Sequence, residues 1–477
     1  MLFFTDILFA TDEWFATAEN LLNPTPPIFI PDLFCDQGKV MDGWETRRKR
    51  IAGHDWCIIK LSSGLDDERT GRVHDRSFTI STIQLDTAYF TGNQAPRVSI
   101  EGMKVTRPYN EDDNLPEHDN EDYLYTWLPG ASTRLSRNGK GIRGTGQSPS
   151  TVEHALEACQ EVARKTIPNN PNGDWITILP ITKLKPGYEE SRYHTFEVLE
   201  DVKRKIAEVG GITHLRLNYY PDGGVARLNV YGSLFNTDIV EDKAQVNSTA
   251  IDGSNAPIIH PHSLSDPAPS TLPHPFPELS SEVHGGLGLA CSNKHYGVPQ
   301  NLLRQYPGKD MGDGWETARH PNRPAKVSKD PITGLQITPL NDWCVVKLGL
   351  GGAKVDEGIS RLIVDTRHFK GNFPESVTIN GCYADPKRVS DDEVCKSAGE
   401  DDTKQNSTSV KWFPLLKRTL LKADAEHEFV SERGHLVNER QGVTHIRISI
   451  TPDGGLSRVR VYGSPLQKPV EHINSHL

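Results

Sequence analysis

Long apolar runs are missing from this 477-residue chain, and no stretch approaches the roughly 18–20 residues that a membrane-spanning helix needs. The chain starts with apolar residues, but they are not preceded by a basic segment and they reach Asp6 early, which is not typical of a secretory signal. These absences predict a protein that neither spans a membrane nor has one as its partner.

Positive charge and cysteine are also scarce. The chain has 53 Lys and Arg against 63 Asp and Glu, a net charge of −10, and this balance argues against a nucleic-acid partner. Seven cysteines without a Cys-x-x-Cys pair fit free thiols in a reducing compartment, so we expect a cytoplasmic protein. The final tripeptide, Ser475-His476-Leu477, loosely resembles the peroxisomal Ser-Lys-Leu address, which makes the peroxisome the alternative.

What the chain does have is an internal repeat of domain length. Four sequence blocks occur twice in the same order, and each copy closes on a Pro-Asp-Gly-Gly turn with a Tyr-Gly pair after it. The blocks are Asp-Gly-Trp-Glu-Thr at 42–46 and 313–317, Asp-Trp-Cys-x-x-Lys-Leu at 55–61 and 342–348, Asp-Thr-x-x-Phe-x-Gly-Asn at 86–93 and 365–372, and Thr-His-x-Arg-x at 213–217 and 444–448, with the turns at 221–224 and 452–455.

The spacing of the blocks locates the unequal parts of the two copies. The third block is shifted by 279 residues and the fourth by 231, so the first copy carries 48 extra residues. We assign them to a surface insertion at about 103–173, which includes a predicted helix over 151–167. The predicted domains are a first repeat at 1–235, a proline-rich linker at 236–282 and a second repeat at 283–470.

Both copies have the alternation of apolar and polar residues that is typical of half-buried strands. It occurs at 215–219 and, after the turn, at 228–231, which predicts a hairpin. Many short strands with little helix predict an all-β protein. The fold class that we expect is two tandem jelly-roll β-sandwich domains.

The doubled blocks, in this order, resemble the allantoicase family. The resemblance covers roughly 10–102, 175–232 and 290–463. It implies jelly rolls of the galactose-binding-like type and hydrolysis of allantoate to ureidoglycolate and urea, with allantoate as the small-molecule partner. The family has a further strand-forming stretch before the segment that matches residues 9–12, so we expect the amino-terminal strand of the first domain to be missing or replaced here.

The first block offers the residue types that this chemistry needs. Asp42 and Glu45 are candidate acid and base, Trp44 is a candidate pocket wall, and Arg47 is a candidate anchor for the substrate carboxylate. The alternative is structural, with a turn-capping Asp, a core Trp and a surface Glu–Arg pair. The equivalent candidates in the second copy are Asp313, Trp315 and Glu316, while Ala318 stands where the first copy has Arg47.

The fourth block adds a cationic face that suits an anionic substrate. In the first copy we expect it to hold His214 as a catalytic candidate, with Arg216 and Arg227 as substrate-binding candidates. The alternative is a solvated face with structural ion pairs. The equivalent candidates in the second copy are His445, Arg447 and Arg458. His54 is a further candidate base, although the second copy has Asn341 there.

The sequence contains no convincing metal or cofactor motif. The histidines at 260, 262 and 274 lie in the proline-rich linker without Cys or carboxylate support, so we expect no cofactor requirement and assign no metal ligand, although a divalent metal stays open. A homo-oligomer also stays open. The rival function is a non-catalytic tandem module that binds carbohydrate through exposed aromatic residues.

Overall fold

The computed structural model describes residues 3–35, 38–62, 77–104, 175–235, 276–399 and 410–467. The chain divides into two compact units, 1–263 with 324–327 and 264–323 with 328–477. Each unit is described by itself. No helix in the described ranges is long and apolar enough to cross a membrane.

The first unit is a sandwich of two antiparallel sheets. The strand order is β1-β5-β10-β7-β8 in the larger sheet and β12-β6-β9 in the smaller one, and short pairs join β4 to β11 and β2 to β3. The elements are β1 (Phe3–Ala10), β2 (Phe34–Cys35), β3 (Gly38–Lys39), β4 (Trp44–Glu45), β5 (Asp55–Ser62), β6 (Phe78–Asp86), β7 (Arg97–Met103), β8 (Ile176–Lys183), β9 (Tyr193–Glu197), α1 (Glu200–Glu208), β10 (His214–Tyr219), β11 (Gly224–Val225) and β12 (Arg227–Leu234).

The second unit repeats this topology, except that its described strands include no counterpart of the β2–β3 pair. Its larger sheet has the order β13-β15-β20-β17-β18 and its smaller sheet β19-β16-β22, while β14 pairs with β21. The elements are β13 (Leu287–Cys291), β14 (Trp315–Glu316), β15 (Asp342–Lys347), β16 (Ile359–Asp365), β17 (Ser376–Cys382), α2 (Asp391–Ala398), β18 (Phe413–Leu420), β19 (Glu426–Val430), β20 (His445–Thr451), β21 (Gly455–Leu456) and β22 (Arg458–Gly463). The predicted all-β fold of two tandem jelly rolls is confirmed.

The alternating apolar residues face the interior between the two sheets of each unit. Leu217 of β10 and Leu228 of β12 come from different sheets and lie in one fully buried cluster. Ile448 of β20 and Val459 of β22 do the same in the second unit. Removal of this apolar area from water is the main force that holds each sandwich together.

The predicted hairpin is wrong, because its two strands belong to different sheets. β10 pairs with β5 and β7, whereas β12 pairs with β6. Between them, Gly224 and Val225 of β11 pair with Glu45 and Trp44 of β4, and the chain there crosses from one sheet to the other. Alternation shows which face of a strand is buried, but it does not identify the neighbouring strand.

The expectation of a missing or replaced amino-terminal strand is also wrong. β1 is the edge strand of the larger sheet and pairs with β5, as β13 pairs with β15 in the second unit. Ile7 and Ala10 of β1 are fully buried in the core.

Several sequence predictions fall on residues outside the described ranges. They concern most of the insertion at 103–173, its helix over 151–167, most of the linker, the three linker histidines and the carboxyl-terminal tripeptide. Leu279, which lies in the range predicted as linker, is fully buried in the core of the second unit. The domain limits themselves stay a prediction.

Gly455 in the second unit allows a steric test of the packing around the buried Phe369 ring. A methyl group at Gly455 would lie 2.0 Å from Cε1 of the buried Phe369 ring. We therefore expect Gly455→Ala to lower the free energy of unfolding of the second unit by about 1–3 kcal/mol, the usual cost of overpacking. Gly312→Ala, at an exposed position, is the matched control. Equal urea-unfolding midpoints for the two variants would contradict the packing described here.

Candidate functional site

A buried arginine holds the first block of the first repeat. Arg227 of β12 binds both carboxylate oxygens of Asp42, with its Nη1 2.9 Å from Oδ1 and its Nη2 2.7 Å from Oδ2. It also donates to the carbonyl oxygens of Asn20 and Thr25. Both members of the ion pair are almost fully buried. The structure thus brings two predicted site residues together, but it pairs them with each other.

The second repeat has the same arrangement. Arg458 of β22 donates to Asp313 Oδ2 at 2.7 Å and to the Asp313 carbonyl oxygen at 2.6 Å, and Arg304 contacts the other carboxylate oxygen. Burial would raise the pKa of Asp313, but the hydrogen bonds from Arg458 and the backbone outweigh it and lower that pKa. The catalytic role of Asp42 and Asp313 and the substrate-binding role of Arg227 and Arg458 stay predictions.

The tryptophans of the first block are core residues. Trp44 is fully buried, donates from Nε1 to the Asp12 carbonyl oxygen at 2.8 Å, and packs with its ring centroid 4.1 Å from that of Tyr219. Trp315 is fully buried as well and donates to the Asn293 carbonyl oxygen at 2.9 Å. In this structure neither ring lines a surface pocket.

The glutamates of the first block contact the third block. Asn93 donates from Nδ2 to Glu45 Oε1 at 2.9 Å, and Asn372 donates to Glu316 Oε1 at 2.8 Å. Both glutamates are buried. Their immediate role is to fix the loop that ends the third block, and their predicted role as acid or base stays untested.

The second block and the closing turn meet at the same corner of the first sandwich. Lys49 Nζ lies 2.6 Å from Asp55 Oδ1 of the second block, and the Lys49 backbone N–H donates to Asp222 Oδ2 of the Pro-Asp-Gly-Gly turn at 2.8 Å. The Gly223 N–H donates to Thr46 Oγ1 at 3.1 Å. The first block, the second block and the closing turn of the first repeat are therefore joined by hydrogen bonds in the fold.

Arg47 is the one first-block candidate of this repeat whose side chain is substantially exposed, at 31%. Its Nε donates to Asp12 Oδ2 at 2.5 Å, and its guanidinium lies 5.4 Å from the ring centroid of Trp14. Burial raises the pKa of Asp12, while Arg47 opposes that shift. In the second repeat the equivalent residues are Asn293 and Ala318, and the Ala318 backbone N–H donates to Asn293 Oδ1 at 3.0 Å. The second repeat has thus exchanged both charges for neutral groups.

The two predicted catalytic histidines are buried on the outward side of their strands. His214 contacts Thr213 Oγ1 through Nδ1 at 2.7 Å, and burial with the nearby Lys60 charge lowers its pKa to about 3. His445 contacts Asp391 Oδ1 of α2 through Nε2 at 3.2 Å, and burial lowers its pKa although Asp391 opposes the shift. Both are neutral near pH 7, and they lie in different environments.

The outward face of the larger sheet in the first repeat carries a continuous polar network. We call it the outer-face network and define it by His54, Ser99, Glu101, Arg216 and Asn218. Arg216 Nε donates to Glu101 Oε2 at 2.7 Å, and Asn218 Nδ2 donates to the same oxygen at 3.0 Å. Asn218 Oδ1 lies 3.1 Å from Nε2 of His54. The network thus links a guanidinium, an amide and an imidazole across neighbouring strands.

The network is partly open to solvent and flanked by aromatic rings. The Arg216 and Glu101 side chains are 13% and 20% exposed. Arg216 lies 4.8 Å from the ring centroid of Trp175, and His54 stacks on Tyr220 at 4.7 Å. Burial lowers the pKa of His54 to about 4, so its imidazole is neutral at pH 7 and can accept a proton. The network thus combines the Arg216–Glu101 ion pair with a neutral imidazole.

The second repeat does not reproduce this network. Its strand register places Arg447 opposite Asn380, where the first repeat has Arg216 opposite Glu101. Ser449 occupies the Asn218 position, and Asn341 occupies the His54 position. Arg447 instead donates to the carbonyl oxygen of Ala398 in α2.

Sequence reasoning identified Arg216 and His54 but missed Glu101 and Asn218. The available signal was the alternation of β7, which gives Glu101 the same outward face as Ser99. What was missing was the cross-strand register that sets Glu101 opposite Arg216. Within the described ranges, no group of three or more His, Cys, Asp or Glu side chains is arranged to hold a metal ion, and the expected independence from a cofactor stays a prediction.

Two jelly rolls of the same topology, one of which carries the outer-face network, define a tandem-repeat β-sandwich protein. A family model described as the allantoicase repeat matches residues 3–129, 145–235 and 277–466. The chain therefore belongs to the allantoicase repeat family, and the resemblance inferred from the sequence is confirmed.

Similar proteins agree with that assignment. The chain is 31% identical to a probable allantoicase of Stutzerimonas stutzeri over 459 residues, which cover 96% of this chain and 93% of the relative. It is 30% identical to a probable allantoicase of Pseudomonas savastanoi pv. phaseolicola over 461 residues, with the same coverage. A crystal structure of allantoicase from Saccharomyces cerevisiae is 26% identical, with 96% of this chain and 89% of that chain covered and a TM-score of 0.27.

The Asp12–Arg47 ion pair of the first repeat, which is replaced by neutral residues in the second, can be tested with a double-mutant cycle. We expect Arg47→Ala to lower the free energy of unfolding of the first repeat by about 1–3 kcal/mol, because it leaves the buried Asp12 carboxylate without its cation. The double variant Asp12→Asn/Arg47→Ala imitates Asn293 and Ala318, so its loss should be smaller than the sum of the two single losses. Urea unfolding of all four proteins measures the coupling, and strictly additive losses would argue against it.

Proposed function

We propose that this chain is a hydrolase that converts allantoate and water to ureidoglycolate and urea, a step in the breakdown of allantoin and hence of purines. The observation that carries the proposal is the family match, which extends over both repeats. The names of the relatives support it. In chemical terms the enzyme acts on C–N bonds, other than peptide bonds, in a linear amidine.

The chemistry of allantoate sets what the site must supply. Its central carbon carries one carboxylate and two ureido groups, and loss of one ureido group as urea requires a base for water and a proton for the departing nitrogen. A guanidinium binds a carboxylate through hydrogen bonds, and a neutral imidazole can act as the base. Arg216 and His54 provide these two groups on one face of the first repeat, where Arg216 also binds Glu101 and the Asn218 amide holds the network together.

The rival carbohydrate-binding function has less support. The two tryptophans of the doubled blocks, Trp44 and Trp315, are fully buried and cannot contact a saccharide, and the relatives are named probable allantoicases. We therefore keep catalysis as the proposed function. Independence from a cofactor, assembly into a homo-oligomer, and a cytoplasmic rather than peroxisomal location remain proposals.

Urea release tests the proposed reaction directly. Purified chain incubated with allantoate should form urea and a second product that yields glyoxylate, at a rate proportional to enzyme concentration. Removal of divalent metals with a chelator should leave the rate unchanged. If folded protein releases no urea from allantoate, with or without added divalent metal, the proposed function is wrong.

A further inference from the structure

The amide of Asn218 can occupy only one orientation in the outer-face network. Its Nδ2 lies 3.0 Å from Ser99 Oγ and 3.0 Å from Glu101 Oε2. An ionised carboxylate only accepts hydrogen bonds, so the amide nitrogen has to point towards Glu101. The amide oxygen then points towards His54, where it lies 3.1 Å from Nε2.

This orientation determines which nitrogen of His54 carries the proton. An amide oxygen only accepts, so His54 Nε2 must be the protonated, donating nitrogen, and Nδ1 holds the free lone pair. No described residue hydrogen-bonds to Nδ1. Asp55 lies beside the ring, while the Arg216 and Lys326 charges disfavour the imidazolium form. The network therefore presents a neutral imidazole with its basic nitrogen unoccupied.

The second repeat lacks the imidazole, the amide and the carboxylate on which this arrangement depends. Asn341 has no titratable nitrogen, Ser449 has no amide to orient, and Asn380 has no charge. The two sandwiches have the same topology, so the difference lies in the side chains and not in the frame.

We propose that the reacting centre lies in the first repeat only, with His54 Nδ1 as the general base and Glu101 as a positioning residue that acts through Asn218. The proposal rests on the proposed hydrolysis of allantoate. His54 Nδ1 takes a proton from water as the water oxygen bonds to the central carbon and the C–N bond to one ureido group breaks. The imidazolium then gives that proton to the departing nitrogen, so urea leaves and neutral His54 is restored.

The direct test replaces His54 by the residue of the second repeat. In His54→Asn, kcat for urea release should fall about 10²–10⁴-fold, the usual contribution of a general base. The fold should survive, because Asn341 occupies the equivalent position in the same topology. Asn341→His is the matched control and should keep the wild-type kcat. A folded His54→Asn variant with wild-type kcat would overturn the proposal.

The positioning role of Glu101 has its own readout. In Glu101→Gln the new amide can donate as well as accept, so Asn218 is free to turn over and His54 should populate both neutral tautomers. Histidine-selective ¹⁵N NMR, with the His54 signals identified from the His54→Asn spectrum, should show the Nε2–H form in the wild type and a mixture in Glu101→Gln. Asn380→Gln, at the equivalent position of the second repeat, should leave these signals unchanged.

Failure of the proposed function and failure of the proposed role of Glu101 give different experimental results. If the wild type releases no urea, the proposed function fails, while the tautomer measurement still reports on the network. If the wild type is active and the His54 tautomer is the same in Glu101→Gln, the positioning role of Glu101 is wrong.

Discussion

In each sandwich a buried arginine forms an ion pair with a buried aspartate at one corner. The rest of the repeat depends on this ion pair. Arg227 binds Asp42, and Arg458 binds Asp313, across 185 and 145 residues of sequence. In a medium of low polarity such a pair is costly to break, because the partner that remains would be a buried, unpaired charge. The pair therefore fixes the loop of the first block against the strand that follows the Pro-Asp-Gly-Gly turn.

That corner also determines where the outer face of the larger sheet ends. The Asp55 N–H donates to the Pro221 carbonyl oxygen at 2.8 Å, and the Tyr220 N–H donates to the Arg97 carbonyl oxygen at 2.9 Å. These bonds hold the end of β10 between β5 and β7, where the chain crosses from the larger sheet to the smaller sheet. Asn218 lies next to that point, so its register with Glu101 and His54 follows from the same constraint.

The two repeats have the same fold but differ in the side chains at several equivalent positions. The buried Asp–Arg pair and the Glu–Asn contact occur in both repeats. The Asp12–Arg47 pair has a neutral counterpart in the second repeat, and in the outer-face network Asn380, Asn341 and Ser449 replace Glu101, His54 and Asn218. The contacts shared by both repeats stabilise the fold. The residues that differ between the repeats include the charged and titratable side chains that could take part in a reaction. This division favours one reacting centre on a scaffold of two similar domains.

The repeat, the all-β class and the family could be predicted from the sequence, because alternation and doubled blocks are local or directly comparable signals. The partner of each strand could not be predicted, and so the hairpin was wrong. The burial of Arg227 and Asp42 could not be predicted either, since a lone charged residue in a strand usually faces solvent and its partner here is remote in sequence. Glu101 and Asn218 became visible only when the strand register placed them beside Arg216 and His54.

The measurement that tests the account most directly is the number of substrate sites in each chain. Isothermal titration of allantoate into the His54→Asn variant, which should bind substrate without turning it over, gives that number. The account predicts one allantoate bound per chain, and loss of that binding when Arg216 is also replaced. Two equivalent sites per chain, or binding that survives in the Arg216 variant, would contradict a single centre in the first repeat.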